Sequence, residues 1–264
     1  MLASMDESKS RDLTILTGAS RGLGHAMARR LLSPGRVLLC LSRQVDDGFA
    51  HQARLAGAHL EQWSQDLADG AEAAERLALW LHSLHTPGLA SATLINNAGV
   101  IPSIGPIERC PPAEIDHALR VGLAAPMQLT GAFLRATQAW VDAGWQGTRK
   151  VLNISSGLGR RPMAAQAPYC AVKAGLDHFS RCVALEQAER PDGARIVSLA
   201  PGVIATGMQE QLRTADPAGF PDHSRFVALH EQGMLTSPEL AAAQVLAWLD
   251  RPDFGATVVA DVRG

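Results

Sequence analysis

The sequence is short of charge, of aromatic residues and of long apolar runs. Charged residues make up 19% of its 264 residues, aromatic residues make up 5%, and the formal net charge is −2. A nearly neutral chain has no basic surface with which to attract nucleic acid or an anionic membrane. No apolar run approaches the roughly 20 residues that a helix needs to span a bilayer. We therefore expect a globular protein whose partner is a small molecule, with no nucleic-acid or membrane partner.

Cysteine is also scarce, and the four cysteines form no C-x-x-C pair. They are Cys40, Cys110, Cys170 and Cys182. This usage favours reduced thiols in a cytoplasmic protein and suggests no metal site. The first eleven residues are polar and lack the apolar centre of a signal peptide. We expect them to form a frayed tail, and we expect residues 12–264 to form a single domain, because their number suits one large α/β domain.

The most informative segment is a glycine-rich turn, T-G-A-S-R-G-L-G, at residues 17–24. It follows an apolar run and opens a helical pattern. In such a strand–turn–helix unit a pyrophosphate can approach the backbone at the positive end of the helix. Gly18 would permit the tight turn, Gly22 would leave room for phosphates, and Gly24 would let helix and strand pack closely. Taken alone, the G-x-x-x-G-x-G spacing fits an ordinary turn as well as a nucleotide site.

Strand-like and helical patterns alternate through the rest of the chain. After the first strand, we expect strands at residues 36–42, 58–65, 91–95, 148–155, 195–199 and 256–260. We expect helices at residues 71–85, 111–142 with a kink at Pro126, 167–189, and 238–249 with Ser237 as N-cap. Residues 207–234 are polar, partly helical and suited to a lid. The alternation predicts a doubly wound parallel sheet, a Rossmann fold of about seven strands with helices on both faces.

The end of the second predicted strand bears on the choice of cofactor. An acidic residue there, which would bind the ribose hydroxyls of NAD, is missing. Ser42 and Arg43 occupy the position instead, and Arg21 lies within the glycine turn. Two guanidinium groups suit a 2′-phosphate, although each arginine alone could be a solvated surface residue. The pattern favours NADP(H).

Tyr169 is the only tyrosine, and it precedes Lys173 by four residues on a predicted helix. The two side chains therefore share a helix face. A nearby ammonium group favours the phenolate, so we expect Lys173 to lower the pKa of Tyr169. Ser156 follows the fifth predicted strand, where its hydroxyl could hydrogen-bond a substrate oxygen. Taken alone, the Tyr169–Lys173 spacing also fits an ordinary contact on a helix surface.

Five segments, taken together, resemble the short-chain dehydrogenase/reductase family. They are the glycine turn at residues 17–24, Asp66-Leu67, N-N-A-G at 96–99, Ser155-Ser156 with Y-x-x-x-K at 169–173, and P-G-V-I-A-T at 201–206. The resemblance implies a Rossmann-fold oxidoreductase that acts on carbonyl or alcohol groups, in a homodimer or homotetramer. Details of the second strand end and the long central helix look like the sepiapterin, benzil and carbonyl reductases.

The resemblance also implies a role for each matching residue. Ser156, Tyr169 and Lys173 would be catalytic, with Tyr169 donating a proton to a carbonyl that receives hydride, and Ser155 would be structural. The implied cofactor-binding residues are Gly18, Ser20, Arg21, Gly22, Leu23, Gly24, Ser42, Arg43, Asp66, Leu67, Asn97, Ala98, Gly99, Tyr169, Lys173, Pro201, Gly202, Ile204 and Thr206. The expected substrate residues are Ile101, Leu158, Met163, Gln166 and Met208, a largely apolar set that favours a neutral ketone or diketone.

Two positions depart from the family pattern. Gly122 stands where the family usually has an asparagine that supports a water beside the lysine. Either backbone and water replace that side chain or turnover is slow, and in the second case Gly122→Asn should preserve or raise turnover. Asp261 matches the general strand-end aspartate, so the pterin-anchoring role of sepiapterin reductases is not assigned to it. The alternative functions are a catalytically weak NADPH-binding sensor or scaffold, which Gly122 alone supports, and a sugar epimerase, which the short length disfavours.

Overall fold

Seven parallel strands form one sheet in the computed structural model, which describes residues 11–264. They are β1 (Arg11–Thr17), β2 (Arg36–Ser42), β3 (His59–Ser64), β4 (Leu89–Asn96), β5 (Thr148–Ile154), β6 (Arg195–Ala200) and β7 (Val259–Asp261). Their order across the sheet is β3-β2-β1-β4-β5-β6-β7, and each neighbouring pair is parallel. The predicted doubly wound fold is confirmed. The predicted tail lies outside the described residues except for Arg11, which begins β1.

Helices connect the strands. They are α1 (Gly22–Leu31), α2 (Asp47–Leu55), α3 (Gly70–Ser83), α4 (Pro112–Leu119), α5 (Ala125–Asp142), α6 (Ala167–Ala188), α7 (Gly207–Thr214), α8 (His223–Glu231) and α9 (Pro238–Leu249). Short 3₁₀ turns occur at Leu67–Asp69, Ile107–Arg109 and Gly157–Gly159, and a π-helical segment occupies Arg120–Ala124. Within the described part of the chain, none of these helices combines the length and apolar character needed to cross a membrane.

Both faces of the sheet are buried under helices. Alternate strand residues point to opposite faces, so Leu39 lies in one apolar cluster while Leu38 lies in the other. The first cluster includes Phe133 of α5, and the second includes Met27 of α1 and Val245 of α9. Coverage on both sides explains why β2 is a continuous apolar run, buried from Val37 to Ser42.

The structure corrects three details of the expected elements. The helix expected over residues 111–142 is interrupted by the π-helical segment, and Pro126 lies just beyond this irregularity, in the first turn of α5. The last strand begins at Val259, three residues later than expected. Helix α2 was not foreseen, because it buries only Phe49 and Ala53 and so has little apolar periodicity. The N-cap at Ser237 is confirmed, since its side chain accepts a bond from the amide of Leu240.

Candidate active site

The predicted motifs meet at one edge of the sheet. Each follows the carboxyl end of a strand, and in a parallel sheet these ends lie side by side. The residues after β1, β2, β3, β4, β5 and β6 are respectively the glycine turn, Arg43, Asp66, Asn97, Ser156 and Pro201. The strand order reverses between β1 and β4, where ligands of such sheets bind.

Hydrogen bonds join the glycine turn to the segment after β4. The side-chain amide of Asn97 donates to the carbonyl oxygens of Thr17 at 2.9 Å and Gly18 at 3.2 Å. The Thr17 hydroxyl oxygen accepts from the backbone amides of Asn97 and Ala98. Gly18 has a φ of +70°, and a Cβ there would lie 2.9 Å from the Cα of Ala98. Two motifs 80 residues apart therefore form one rigid unit that only glycine at position 18 allows.

The turn leaves open space at the start of α1. Gly22 has a φ of +55°, and a Cβ there would lie 3.3 Å from Cγ2 of Thr206, so the P-G-V-I-A-T segment faces the turn. A Cβ at Gly24 would overlap the carbonyl oxygen of Gly18. No acidic side chain lies in the first turn of α1, whose free amides and dipole favour an anion. Ser20 and Arg21 are exposed at this position.

The two arginines are available to a ligand. Arg21 and Arg43 are exposed, and neither has a carboxylate partner among residues 11–264. They follow β1 and β2, which are adjacent, and the amide of Gly18 bonds the carbonyl of Leu41 at 2.7 Å. Ser42 is different, because it is buried and its hydroxyl donates to the carbonyl of Gln44 at 2.7 Å. The case for a 2′-phosphate therefore depends on the arginines.

Asp66 and Leu67 form a short turn after β3. The Asp66 carboxylate accepts from the amide of Ala68 at 2.9 Å and so caps the 3₁₀ turn that Leu67 begins. Leu67 is buried in the core beneath it, as Leu23 is beneath the glycine turn. Both leucines therefore support the backbone of the site rather than present a side chain to solvent.

Tyr169 and Lys173 lie one turn apart on α6, and both are buried, with 7% and 5% exposure. The Lys173 ammonium donates to the carbonyl oxygen of Ile154 at 2.8 Å and lies 5.7 Å from the centre of the Tyr169 ring. The Ser156 hydroxyl oxygen accepts from the amide of Leu158 and caps the 3₁₀ turn after β5. A Cβ at Gly99 would lie 3.7 Å from the Lys173 ammonium, so the segment after β4 reaches this group too.

Burial dominates the proton affinities of this pair. It raises the pKa of Tyr169 to about 12, and a hydrogen bond with Ser156 offsets part of the increase. Burial also lowers the pKa of Lys173 to about 8, against the opposing charge of Asp177. The expectation of a lowered pKa for Tyr169 is therefore wrong for the free protein, because desolvation of the phenolate dominates that pKa. At neutral pH the phenol keeps its proton.

The segment after β6 is anchored from two sides. Ile204 is buried and pairs with Thr236 in a parallel bridge, in which the amide of Thr236 donates to the carbonyl of Val203. Gly202 has a φ of +84°, and Pro201 before it is buried. This segment holds Thr206 beside Gly22 of the glycine turn.

A small apolar cluster, which we name the lid cluster, consists of Leu212, Phe220 and Phe226. Ile101 and Met163 pack against it, as does Ile104, which sequence reasoning did not identify. Met208 is half-buried in the first turn of α7. Leu158 is half-buried in the 3₁₀ turn that Ser156 caps, which we name the Ser156 turn. Residues 207–234 look polar overall, so the phenylalanines that form this cluster gave no periodic signal.

Two buried polar side chains near α6 have unpaired atoms. Gln166 donates from its side-chain nitrogen to the carbonyl of Ala165 at 3.0 Å, while its side-chain oxygen has no partner among the described residues. Ser155 bonds through its backbone amide to the carbonyl of Leu199, and its hydroxyl is likewise unpaired within that part of the chain. The backbone bond agrees with a structural role for Ser155.

The family comparison agrees with this geometry. The family model described as short chain dehydrogenase matches residues 12–217. The chain belongs to the short-chain dehydrogenase/reductase family. Short-chain dehydrogenases are oxidoreductases that act on carbonyl or alcohol groups with a nicotinamide cofactor.

Two curated relatives of this short-chain dehydrogenase are reductases. The benzil reductase ((S)-benzoin forming) of Bacillus cereus is 35% identical over 241 residues, which cover 91% of this chain and 94% of the relative. The sepiapterin reductase of Meriones unguiculatus is 33% identical over 254 residues, covering 91% and 92%. The narrower resemblance to benzil and sepiapterin reductases is thus confirmed.

Solved structures of short-chain dehydrogenases share the fold and differ in cofactor. A 3-oxoacyl-[acyl-carrier protein] reductase from Brucella melitensis in complex with NAD has a TM-score of 0.78 at 25% identity, covering 97% of this chain and 96% of its own. A metagenomic short-chain oxidoreductase in complex with NADP has a TM-score of 0.69 at 26% identity, with the same coverage. Both nicotinamide cofactors therefore occur among the neighbours.

Proposed function

We propose that this protein is an NADPH-dependent reductase of small, neutral, apolar ketones or diketones. The observation that carries the proposal is the meeting of Ser156, Tyr169 and Lys173 beside a glycine cradle at the carboxyl edge of the sheet. The benzil reductase relative supports a diketone, since benzil is an apolar 1,2-diketone.

The cradle fits a dinucleotide. Glycine at positions 18 and 22 lets the turn lie close to the segments after β4 and β6, and the amides at the start of α1 suit a pyrophosphate. Asn97 and Ala98 would line the middle of the cofactor, Asp66 and Leu67 the adenine, and the segment from Pro201 to Thr206 the carboxamide. Arg21 and Arg43 would bind the 2′-phosphate, because a guanidinium group forms bidentate charged hydrogen bonds with phosphate. The bound nicotinamide would supply the hydride.

The side chains of the protein would then position the substrate and supply the proton. The hydroxyls of Ser156 and Tyr169 would hold the carbonyl oxygen, where negative charge develops. Tyr169 would donate its phenolic proton to that oxygen, and burial keeps this proton in place at neutral pH. The Lys173 ammonium would stabilise the resulting phenolate, which is the state in which the two charges attract.

The substrate side of the site would be apolar. Ile101 and Met163 pack against the lid cluster, and Leu158, Gln166 and Met208 would complete the lining. An apolar lining favours a neutral substrate over an acid or a phosphorylated sugar, since a charged group would lose its hydration without a partner. Residues 207–234 would act as the lid.

We further propose that residues 12–264 act as one domain in a cytoplasmic homodimer or homotetramer. Large apolar side chains are exposed on adjoining helices, including Leu119 of α4, Met127 of α5 and Leu185 of α6. Such residues are suited to burial against a second copy of the chain. These helices include the one that carries Tyr169, so assembly would buttress the active site.

The test is to follow NADPH absorbance with a panel of apolar ketones, 1,2-diketones and pterins. We expect 1,2-diketones to be reduced fastest and charged substrates slowest. NADPH binding without turnover of any carbonyl would instead favour the sensor or scaffold alternative. The complete set of Ser156, Tyr169 and Lys173 does not favour that alternative.

A further inference from the structure

An ion pair with a buried carboxylate lies one helical turn beyond Lys173. Asp177 of α6 is only 2% exposed, and its carboxylate accepts from Nε of Arg160 at 3.1 Å and from the hydroxyl of Ser198 at 2.6 Å. Arg160 also donates to the carbonyl of Ala260 in β7 at 2.9 Å. A buried carboxylate is costly unless it is paired and hydrogen-bonded, so these contacts are required by Asp177.

The same pair holds the turn that carries Ser156. The amide of Gly159 bonds the carbonyl of Ser156 at 3.0 Å, and the amide of Arg160 bonds that of Gly157 at 3.2 Å. This turn lies directly on α6, because a Cβ at Gly159 would be 2.9 Å from the carbonyl oxygen of Lys173 and 3.0 Å from Oδ2 of Asp177. Arg160 therefore ends the Ser156 turn and anchors it to the helix of Tyr169 and Lys173.

We infer that Asp177 is a positioning residue: through Arg160, its carboxylate clamps the Ser156 turn against the helix that carries Tyr169 and Lys173. The inference rests on the proposed function. Sequence reasoning did not identify Asp177, because a single aspartate in a helix carries no motif. Three elements, β6, β7 and α6, meet at this clamp through Ser198, Ala260 and Asp177.

The clamp also affects the charge of Lys173. Asp177 raises the pKa of Lys173, which burial otherwise lowers. The other titratable groups near Lys173 are Tyr169 on the same helix and Arg160 on the Ser156 turn. The segment after β4 and the end of β5 contribute only backbone beside Lys173, at Gly99 and Ile154. Activity should fall as pH rises through the pKa of Lys173, about 8, because the ammonium loses its proton there.

The decisive variants are Asp177→Asn and Arg160→Met, singly and combined. In Asp177→Asn, the amide oxygen can still accept from the Ser198 hydroxyl, but the amide N–H groups then face the Arg160 guanidinium. Two donors cannot bond to each other, so the contact with Arg160 is lost and the clamp opens. We expect kcat to fall at least about tenfold, with KM for NADPH changed by less than about twofold, because a small displacement of Ser156 affects the transition state most. The double variant should be no slower than the slower of the two single variants, since both break the same contact.

The pH profile and a conservative variant separate positioning from a general loss of stability. In Asp177→Asn the high-pH limb should move to lower pH, because the carboxylate that raises the pKa of Lys173 is gone, whereas Arg160→Met should not move it down. Arg160→Lys should retain more activity than Arg160→Met. The matched control is Asp192→Asn, which breaks the ion pair with buried Arg149 at the opposite end of β5 and should leave kcat unchanged.

Amide hydrogen exchange over residues 157–160 gives a measure that needs no activity. These amide hydrogens should exchange faster in Asp177→Asn than in the wild-type protein, and at the wild-type rate in Asp192→Asn. If wild-type protein reduces no carbonyl, the proposed function fails and this measurement still decides the clamp. The inference would be overturned if Asp177→Asn left the amide exchange rates of residues 157–160 unchanged or left kcat at the wild-type value. It would also be overturned if the losses in kcat of the two single variants added in the double variant. If Asp177→Asn does not fold, the Arg160 variants decide it, because Arg160 is partly exposed.

Discussion

The side chain of Val172 fills the space beside Gly122. A Cβ placed at Gly122 would lie 2.6 Å from Cγ1 of Val172, well inside van der Waals contact. In the neighbouring contact the glycine lies on α6 and the side chain on the π-helical segment, since a Cβ at Gly175 would lie 3.1 Å from Cδ2 of Leu123. Each segment thus contributes one glycine and one side chain, and the π-helical segment packs closely against α6 next to Lys173. A side chain at position 122 would therefore have to displace Val172.

Gly122→Asn is accordingly expected to lower turnover, whereas the sequence predicted preserved or raised turnover only if the missing asparagine limits the rate. The added side chain must displace Val172, which adjoins Lys173, and a shift of about 1 Å in a catalytic group can cost on the order of 100-fold in rate. Overpacking should also reduce the free energy of unfolding by about 1–3 kcal/mol. Steady-state kinetics and thermal unfolding measure the two effects.

A second substitution tests this cause. Gly122→Asn combined with Val172→Ala removes the methyl groups in conflict and should recover much of the lost kcat. Gly131→Asn is the matched control on α5, because a Cβ there meets only the flexible end of Arg135 at 3.4 Å. A Gly122→Asn protein as fast as wild type would show that the packing can yield, and the original expectation would stand.

The single tyrosine allows its ionisation to be measured directly. The near-ultraviolet absorbance of phenolate should report one transition with a pKa of about 12 in the free protein, well above the ordinary value. Ser156→Ala should raise this pKa further, because the Ser156 hydrogen bond lowers it. Tyr169→Phe should abolish the transition. A transition in folded protein at or below the ordinary tyrosine value of about 10 would contradict the dominance of burial.

Tyr169→Phe should reduce carbonyl reduction by about 10²–10⁴-fold, because it removes the proposed proton donor and little volume. NADPH binding, measured by fluorescence or calorimetry, should stay within about twofold of wild type. A variant that turns over at the wild-type rate would refute the proton-donor assignment. Loss of cofactor binding in step with activity would point instead to a role of Tyr169 in building the site.

Arg21→Ala and Arg43→Ala should each weaken NADPH binding by roughly 10–100-fold, which is the loss of one charged hydrogen bond of about 1.5–3 kcal/mol. Affinity for NADH should change little, since NADH lacks the 2′-phosphate. Arg30→Ala, at the exposed far end of α1, is the control and should alter neither affinity. Wild-type protein that binds both cofactors equally would remove the basis for the arginine assignment.

Much of the fold follows from local pattern. A continuous apolar run such as 36–42 is typical of a strand buried on both faces, and the Ser237-Pro238 start of α9 is a local signal that the structure confirms. The sequence predicted an irregularity in the long central helix at Pro126, but it did not predict the π-helical segment just before that residue, which packs against α6. Helix α2 was missed because its burial is slight.

The sequence by itself determined the seven strands and most of the helices, the glycine turn, and the pairing of Tyr169 with Lys173, because each depends on short-range spacing. Tertiary structure decided the rest. The high pKa of Tyr169 comes from burial under several elements, the need for glycine at position 122 comes from Val172 on another helix, and the Asp177–Arg160 clamp joins residues 17 apart. Desolvation and close packing depend on which chain segments meet, and that is set by the folded chain as a whole.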